Sequence, residues 1–169
     1  MFNVRSGLAT LIFLAGLTGQ TLAQTIGPEL YSPLEYRHIG PPGNRLAAVA
    51  GIPGDPNIIY AGAASGGLWK TTDGGTHWES IFDAQEVSSV SALDVADSDP
   101  NVVWAGTGET FIRSNISIGN GIYKSTDAGK TWQHMGLEAT GRIGRVIIDP
   151  RDPNIVFAAA MGHSYGPQQ

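Results

Sequence analysis

The sequence predicts an all-β chain of four-stranded antiparallel β-propeller blades. Two observations carry that prediction. The stretch Gly67-Leu68-Trp69-Lys70-Thr71-Thr72-Asp73-Gly74-Gly75-Thr76-His77-Trp78 recurs as Gly121-Ile122-Tyr123-Lys124-Ser125-Thr126-Asp127-Ala128-Gly129-Lys130-Thr131-Trp132. Asp73 to Asp127 and Trp78 to Trp132 span the same 54 residues. Each copy reads as strand, tight turn, strand, because an Asp carboxylate can accept backbone N–H bonds and a following glycine can take positive φ. The second observation is the triplet Asp-Pro-Asn, at Asp55, Asp99 and Asp152, each time between two apolar runs. Proline suits the second position of a turn, and Asn tolerates the left-handed exit. Hairpins recurring at such a period are the signature of a repeat architecture.

The elements follow in order. Residues 1–23 read as a signal peptide: Arg5 supplies the positive start, Leu8 to Leu17 the apolar run, and Thr21-Leu22-Ala23 the small residues before cleavage. That run is short for a membrane span, so no span is expected after cleavage near Ala23, and the localisation expected is secreted or periplasmic. Residues 24–43 are a polar, proline-rich lead-in in which Tyr36 to Ile39 suits a short strand. Residues 44–169 are expected to form a partial propeller. Aligned on the turn aspartates, blade one (about 44–83) has strands Arg45–Ile52, Ile58–Ala64, Leu68–Thr72 and Thr76–Phe82. Blade two (about 87–136) has Ser89–Ala96, Val102–Gly106, Ile122–Ser125 and Thr131–Met135. Blade three (about 141–169) is incomplete, with Ile143–Ile148 and Ile155–Ala160. About two and a half blades cannot close a ring, so the remaining blades are expected as partners. Blade two carries a ten-residue insertion, Thr110 to Gly119, between its second and third strands.

Composition narrows the function. A net charge of −5 gives no basic stripe for nucleic acid. No cysteine is present, so packing and turns must hold an exported fold without disulfides. Gly and Pro fall at regular turn positions, which is β-repeat composition. No zinc motif, nucleophile elbow or P-loop occurs, and neither a metal nor a cofactor is implied.

Both hairpins match the Asp-box, or BNR repeat, Ser/Thr-x-Asp-x-Gly-x-Thr-Trp. Ser125, Asp127, Gly129, Thr131 and Trp132 match in full; Thr71, Asp73, Gly75 and Trp78 match, with His77 in place of Thr. With the stretches Tyr60 to Lys70, Gly106-Thr107-Gly108-Glu109 and Gly141-Arg142-Ile143-Gly144-Arg145, residues 36–167 resemble the sortilin-type (VPS10-like) N-terminal propeller of secreted bacterial BNR-repeat proteins, grouped with xyloglucanase-type glycosyl hydrolases. The resemblance implies seven or more blades, and Asp-box residues that build turns on the blade rim away from the active face. Asp-boxes occur in sialidases, xyloglucanases and sortilins alike, so they do not choose between enzyme and receptor.

Topology sorts the candidates. Turns after first and third strands share one face, which the turn motifs explain. The opposite face holds the second-to-third connections and the links between blades. There, Arg45, Ser89 and Arg142 stand ten residues before each turn aspartate, and Arg145 occupies the position of Ala48 and Ala92. Loops add Glu109, Arg113, His163 and Tyr165. Arg and Tyr suit carboxylates or sugar hydroxyls, and Glu109 suits an acid or base. The structural alternatives are ion pairs of Arg45 and Arg142 with a neighbouring carboxylate such as Glu138, a turn role for Glu109, and inter-blade packing for Trp69, Trp78, Trp104 and Trp132. Trp78 and Trp132 are expected in like surroundings. A sialidase would need three arginines and a Tyr/Glu pair, and other glycosidases two carboxylates, of which Glu109 supplies one. Two readings follow: a non-catalytic exported module binding a glycan or peptide, and the N-terminal part of a xyloglucanase-like glycoside hydrolase. A purely structural surface piece is a weaker third.

Overall fold

Apolar runs alternate with glycine- and aspartate-rich turns through residues 45–160, and a computed structural model shows what the alternation builds. It describes residues 27–34, 40–41, 45–164 and 166. The chain divides into two units, 1–37 and 38–169. In the first, Pro28–Tyr31 forms a 3-10 turn, with Ser32 Oγ donating to the Glu29 carbonyl at 2.7 Å. The signal peptide and the strand Tyr36–Ile39 expected from the sequence lie outside the described residues. Among the described residues no helix is long and apolar enough to cross a membrane.

The second unit is all β, an arc of three antiparallel blades. Blade one has β1 (Leu46–Ile52), β2 (Asp55–Ala63), β3 (Leu68–Thr71) and β4 (Glu79–Ser80), paired in that order. Blade two repeats it with β5 (Val90–Val95), β6 (Val103–Thr107), β7 (Ile122–Ser125) and β8 (Gln133–His134). Blade three pairs β9 (Ile143–Asp149) with β10 (Asp152–Ala160).

Two local expectations are corrected. The outer strands predicted over Thr76–Phe82 and Thr131–Met135 shrink to two residues each. The reason is competition: the N–H groups of His77 and Thr131 donate to Asp73 and Asp127 carboxylates at 2.9 Å, not to a ladder. The Asp-Pro-Asn triplets also differ from one another. In blade two, Val102 N–H donates to the Asp99 carbonyl at 2.9 Å, closing the expected turn. In blades one and three, Ile52 pairs with Asp55 and Asp149 with Asp152, so the tight loop lies one step earlier and the triplet forms a bulge behind it. Common to all three is an Asp Oδ1 accepting from the Asn N–H, at 3.0, 3.0 and 2.9 Å.

The innermost strands β1, β5 and β9 pack side by side, and the core lies between blades. Tyr60, Leu68 and Phe82 meet Val90, Val103 and Tyr123 between blades one and two; Ala92, Val102 and Trp104 meet Ile143, Val146 and Ile148 between two and three. A glycine socket sets each spacing. A Cβ on Gly62 would stand 2.6 Å from the Val90 carbonyl oxygen, and one on Gly106 would stand 2.5 Å from Ile143 Cγ2. Gly62 and Gly106 each lie seven residues past a turn aspartate, and Val90 and Ile143 each lie nine before the next.

The tryptophans split. Trp132 Nε1 donates to the Ile81 carbonyl of blade one at 2.8 Å, and its ring meets Phe82 edge-on at 5.3 Å. Trp78 Nε1 donates to Gly75 of its own turn at 3.1 Å. Equivalent in the chain, the two indoles therefore stand in unlike surroundings. Trp132 lies against a preceding blade, and among the described residues no blade precedes Trp78.

Candidate functional site

The three strand-start positions are equivalent in the backbone. The carbonyls of Arg45, Ser89 and Arg142 accept from the N–H groups of Ala64, Gly108 and Met161, each at 2.9 Å. Their side chains diverge. Arg45 reaches across to blade two and pairs with Glu109. Arg142 turns inward: it is 5% exposed, and its Nε donates to the Gly162 carbonyl at 2.9 Å. Neither pairs with Glu138, which stands 3.5 Å from His134 Nδ1. The expectation of a neighbouring-blade carboxylate thus holds for Arg45 with a different residue. It fails for Arg142, whose Nε is committed to the Gly162 carbonyl.

Glu109 organises the insertion. Its side chain is 0% exposed, and besides Arg45 it accepts from Arg113 Nε at 2.6 Å and the Ser117 N–H at 3.4 Å. Its own N–H donates to the Ser117 carbonyl at 2.8 Å, and Gly119 N–H donates to Gly141 of blade three at 2.7 Å. The loop is thereby tied to all three blades. The hydrogen bond from Arg113, with the nearby guanidinium charges, holds the Glu109 carboxyl below the ordinary value of 4.5. A general acid requires the opposite, a carboxyl kept protonated. Glu109 is a buried carboxyl whose ion pairs and hydrogen bonds position a loop.

The remaining candidates are scattered. The His163 ring lies 3.1 Å from where a Gly141 Cβ would be. Tyr165 lies outside the described residues. Arg145 is exposed on β9 and borders two adjoining depressions along the innermost strands, of about 450 and 350 Å³.

On the other face the turn residues satisfy one another. Ser125 Oγ accepts from Gly129 N–H at 2.8 Å and donates to Asp127 Oδ1 at 2.8 Å, while Thr131 Oγ1 donates to Asp127 Oδ2 at 2.6 Å. The Thr71 hydroxyl and Asp73 repeat this, with Gly75 N–H donating at 2.9 Å. His77 substitutes for the threonine, placing Nδ1 2.6 Å from Asp73 Oδ2. The Thr131 hydroxyl and N–H hold Asp127 down at about 2. The His77 backbone N–H, then its ring, hold Asp73 well below the carboxylate range.

Sequence reasoning missed Asp94. Its carboxylate accepts from Ile148 N–H of blade three at 2.7 Å and from Val95 N–H at 3.0 Å, stitching two innermost strands together. The available signal was a carboxylate inside an inner strand where the other blades have Ala50 and Ile147.

No family model matches the chain. It is similar to a xyloglucanase of Hypocrea jecorina (strain QM6a), 34% identical over 113 residues, covering 53% of this chain and 12% of that protein. A xyloglucanase of a Paenibacillus species is 29% identical over 119 residues, covering 63% and 12%. Among solved structures, an ancestral GH74 enzyme superposes with a TM-score of 0.53 at 24% identity, over 68% of this chain and 16% of that one. The GH74 xyloglucanase from Xanthomonas campestris gives 0.53 at 23% identity, over 72% and 20%. The chain spans 12% of the length of the curated relatives it matches. The three blades are an arc of the β-propeller fold that those GH74 structures share.

Proposed function

We propose that these blades are part of an exported glycoside hydrolase acting on a xyloglucan-type polysaccharide, and that their share of the work is to hold the glycan. The carrying observation is the 34% identity to a xyloglucanase over 113 residues. The GH74 likeness adds the fold. The geometry of Glu109 supports a binding role for these blades: its buried carboxylate is closed off by Arg45 and Arg113. The acid and base of such an enzyme then come from elsewhere in the propeller. On this reading the two hairpin turns are Asp-boxes of the sortilin-like kind, rim elements remote from the glycan, and the first 23 residues direct export.

The test is release of reducing ends from xyloglucan by the full-length protein, alongside retention of the present chain in xyloglucan-containing native gels. Hydrolysis with retention supports the reading. Retention without hydrolysis leaves a glycan-binding module, the reading that the sealed Glu109 favours. No retention on xyloglucan or cello-oligosaccharides rejects both. An N-terminus of the mature protein other than one near Gln24 would count against the export signal as drawn.

A further inference from the structure

Each innermost strand presents one residue seven positions before its turn aspartate: Ala48, Ala92 and Arg145. Their cross-strand partners correspond, being Gly62, Gly106 and Ala159. Two blades place a methyl group there, and the third places a guanidinium. Arg145 is exposed, and while its backbone pairs with Ala159 in the ladder, its guanidinium makes no hydrogen bond or ion pair with any described residue. A repeat that departs from its own rule with an unneutralised charge carries a feature the fold does not require.

The surroundings define what that charge would meet. The larger depression, about 450 Å³, is bordered by Arg145 together with Ala48, Ala92, Met161 and Phe111. Arg145 is the one charged side chain on its border. Phe111 is 57% exposed, on the loop that Glu109 ties down. The smaller depression is bordered by Asp94 and Asp97, which repel an anion. Asp94 is moreover committed to two backbone N–H groups and does not neutralise Arg145. An anion is therefore favoured on the Phe111 side alone.

We propose that Arg145 and Phe111 form a subsite for a uronate residue of a glycan, the guanidinium taking the sugar carboxylate and the phenyl ring packing on the apolar C–H face of the pyranose. A planar guanidinium can take a carboxylate bidentately, and an aromatic ring supplies apolar area. This deepens the glycan-binding reading and rests on it.

Calorimetry with glucuronate-bearing xylo-oligosaccharides, against the same oligosaccharides lacking the uronate, tests the site. The acidic ligand should bind roughly tenfold more tightly, a difference that added salt reduces. Arg145→Met should abolish the preference, Arg145→Lys should keep part of it, and Phe111→Ala should weaken both ligands. Equal binding of acidic and neutral ligands overturns the subsite while the glycan reading stands; no binding of either overturns the subsite and leaves the xyloglucan reading to its own retention test. A loss of thermal stability in Arg145→Met with the preference intact also overturns it, because Arg145 would then be serving a structural ion pair.

Discussion

Single side chains in this chain do unequal amounts of structural work. Ser125 is 1% exposed and accepts from the buried Gly129 N–H, so Ser125→Ala leaves that donor unmet. A loss of about 1–2 kcal/mol in urea unfolding is expected. Asp127 acts through charge. Its folded pKa, about 2, lies below its ordinary 3.8, so its contribution is full above pH 4 and is lost as pH falls toward 2. Unfolding midpoints followed across that window should drop in the parent and stay flatter in Asp127→Ala. Glu109 behaves alike from a different cause: Arg113 lowers its pKa, so its contribution is full above about 4.5 and lost on acidification below that. Glu109→Gln should lower the unfolding midpoint by several degrees at pH 7 and mobilise residues 110–119, seen as faster amide exchange there. If that variant unfolds like the parent, the loop is anchored by its backbone bonds alone.

At the scale of the strand and hairpin, close approach matters more than any one hydrogen bond. Gly106 lies under Ile143, and a methyl group there would need the next blade to move outward. Gly106→Ala should cost on the order of 1–3 kcal/mol by overpacking. Gly51→Ala is the control, since its nearest neighbour beyond the chain is the Ile58 carbonyl at 3.7 Å. Equal costs for both would dispose of the socket. This scale also shows what was legible in the sequence. The inner strands were readable because apolar runs flank turns of known chemistry, and Ile122–Ser125 appears as drawn. The outer strands were not, because Asp73 and Asp127 take N–H groups that a ladder would have used. Likewise Arg45 and Arg142 share a register and a backbone bond, and nothing in the sequence says that one reaches to the next blade while the other folds into its own. Side-chain direction depends on which loop arrives opposite, and the insertion carrying Glu109 is present in blade two alone.

For the whole molecule, the sealing of one blade by the next is the governing fact. Tyr60 is fully buried and donates to the Ala128 carbonyl of blade two at 3.2 Å. Its counterpart Trp104 is 6% exposed under blade three, and Phe157, the same position in blade three, is 67% exposed. The fold class was therefore legible from the period alone, whereas side-chain grouping was not: of the candidates gathered from one face, Arg45 and Arg113 close on Glu109, Arg142 turns inward, and Arg145 stands exposed. Blade two is gripped on both sides, through Gly62 on one and Gly106 on the other. Thermal opening of these blades should accordingly run like a zipper from the blade three face that carries exposed Phe157. Deuterium uptake in β10 should outpace that in β9, with β5 and β6 exchanging last. A shared rate across all ten strands would mean that the arc melts as a single slab, with its glycine sockets no weaker than its sheets.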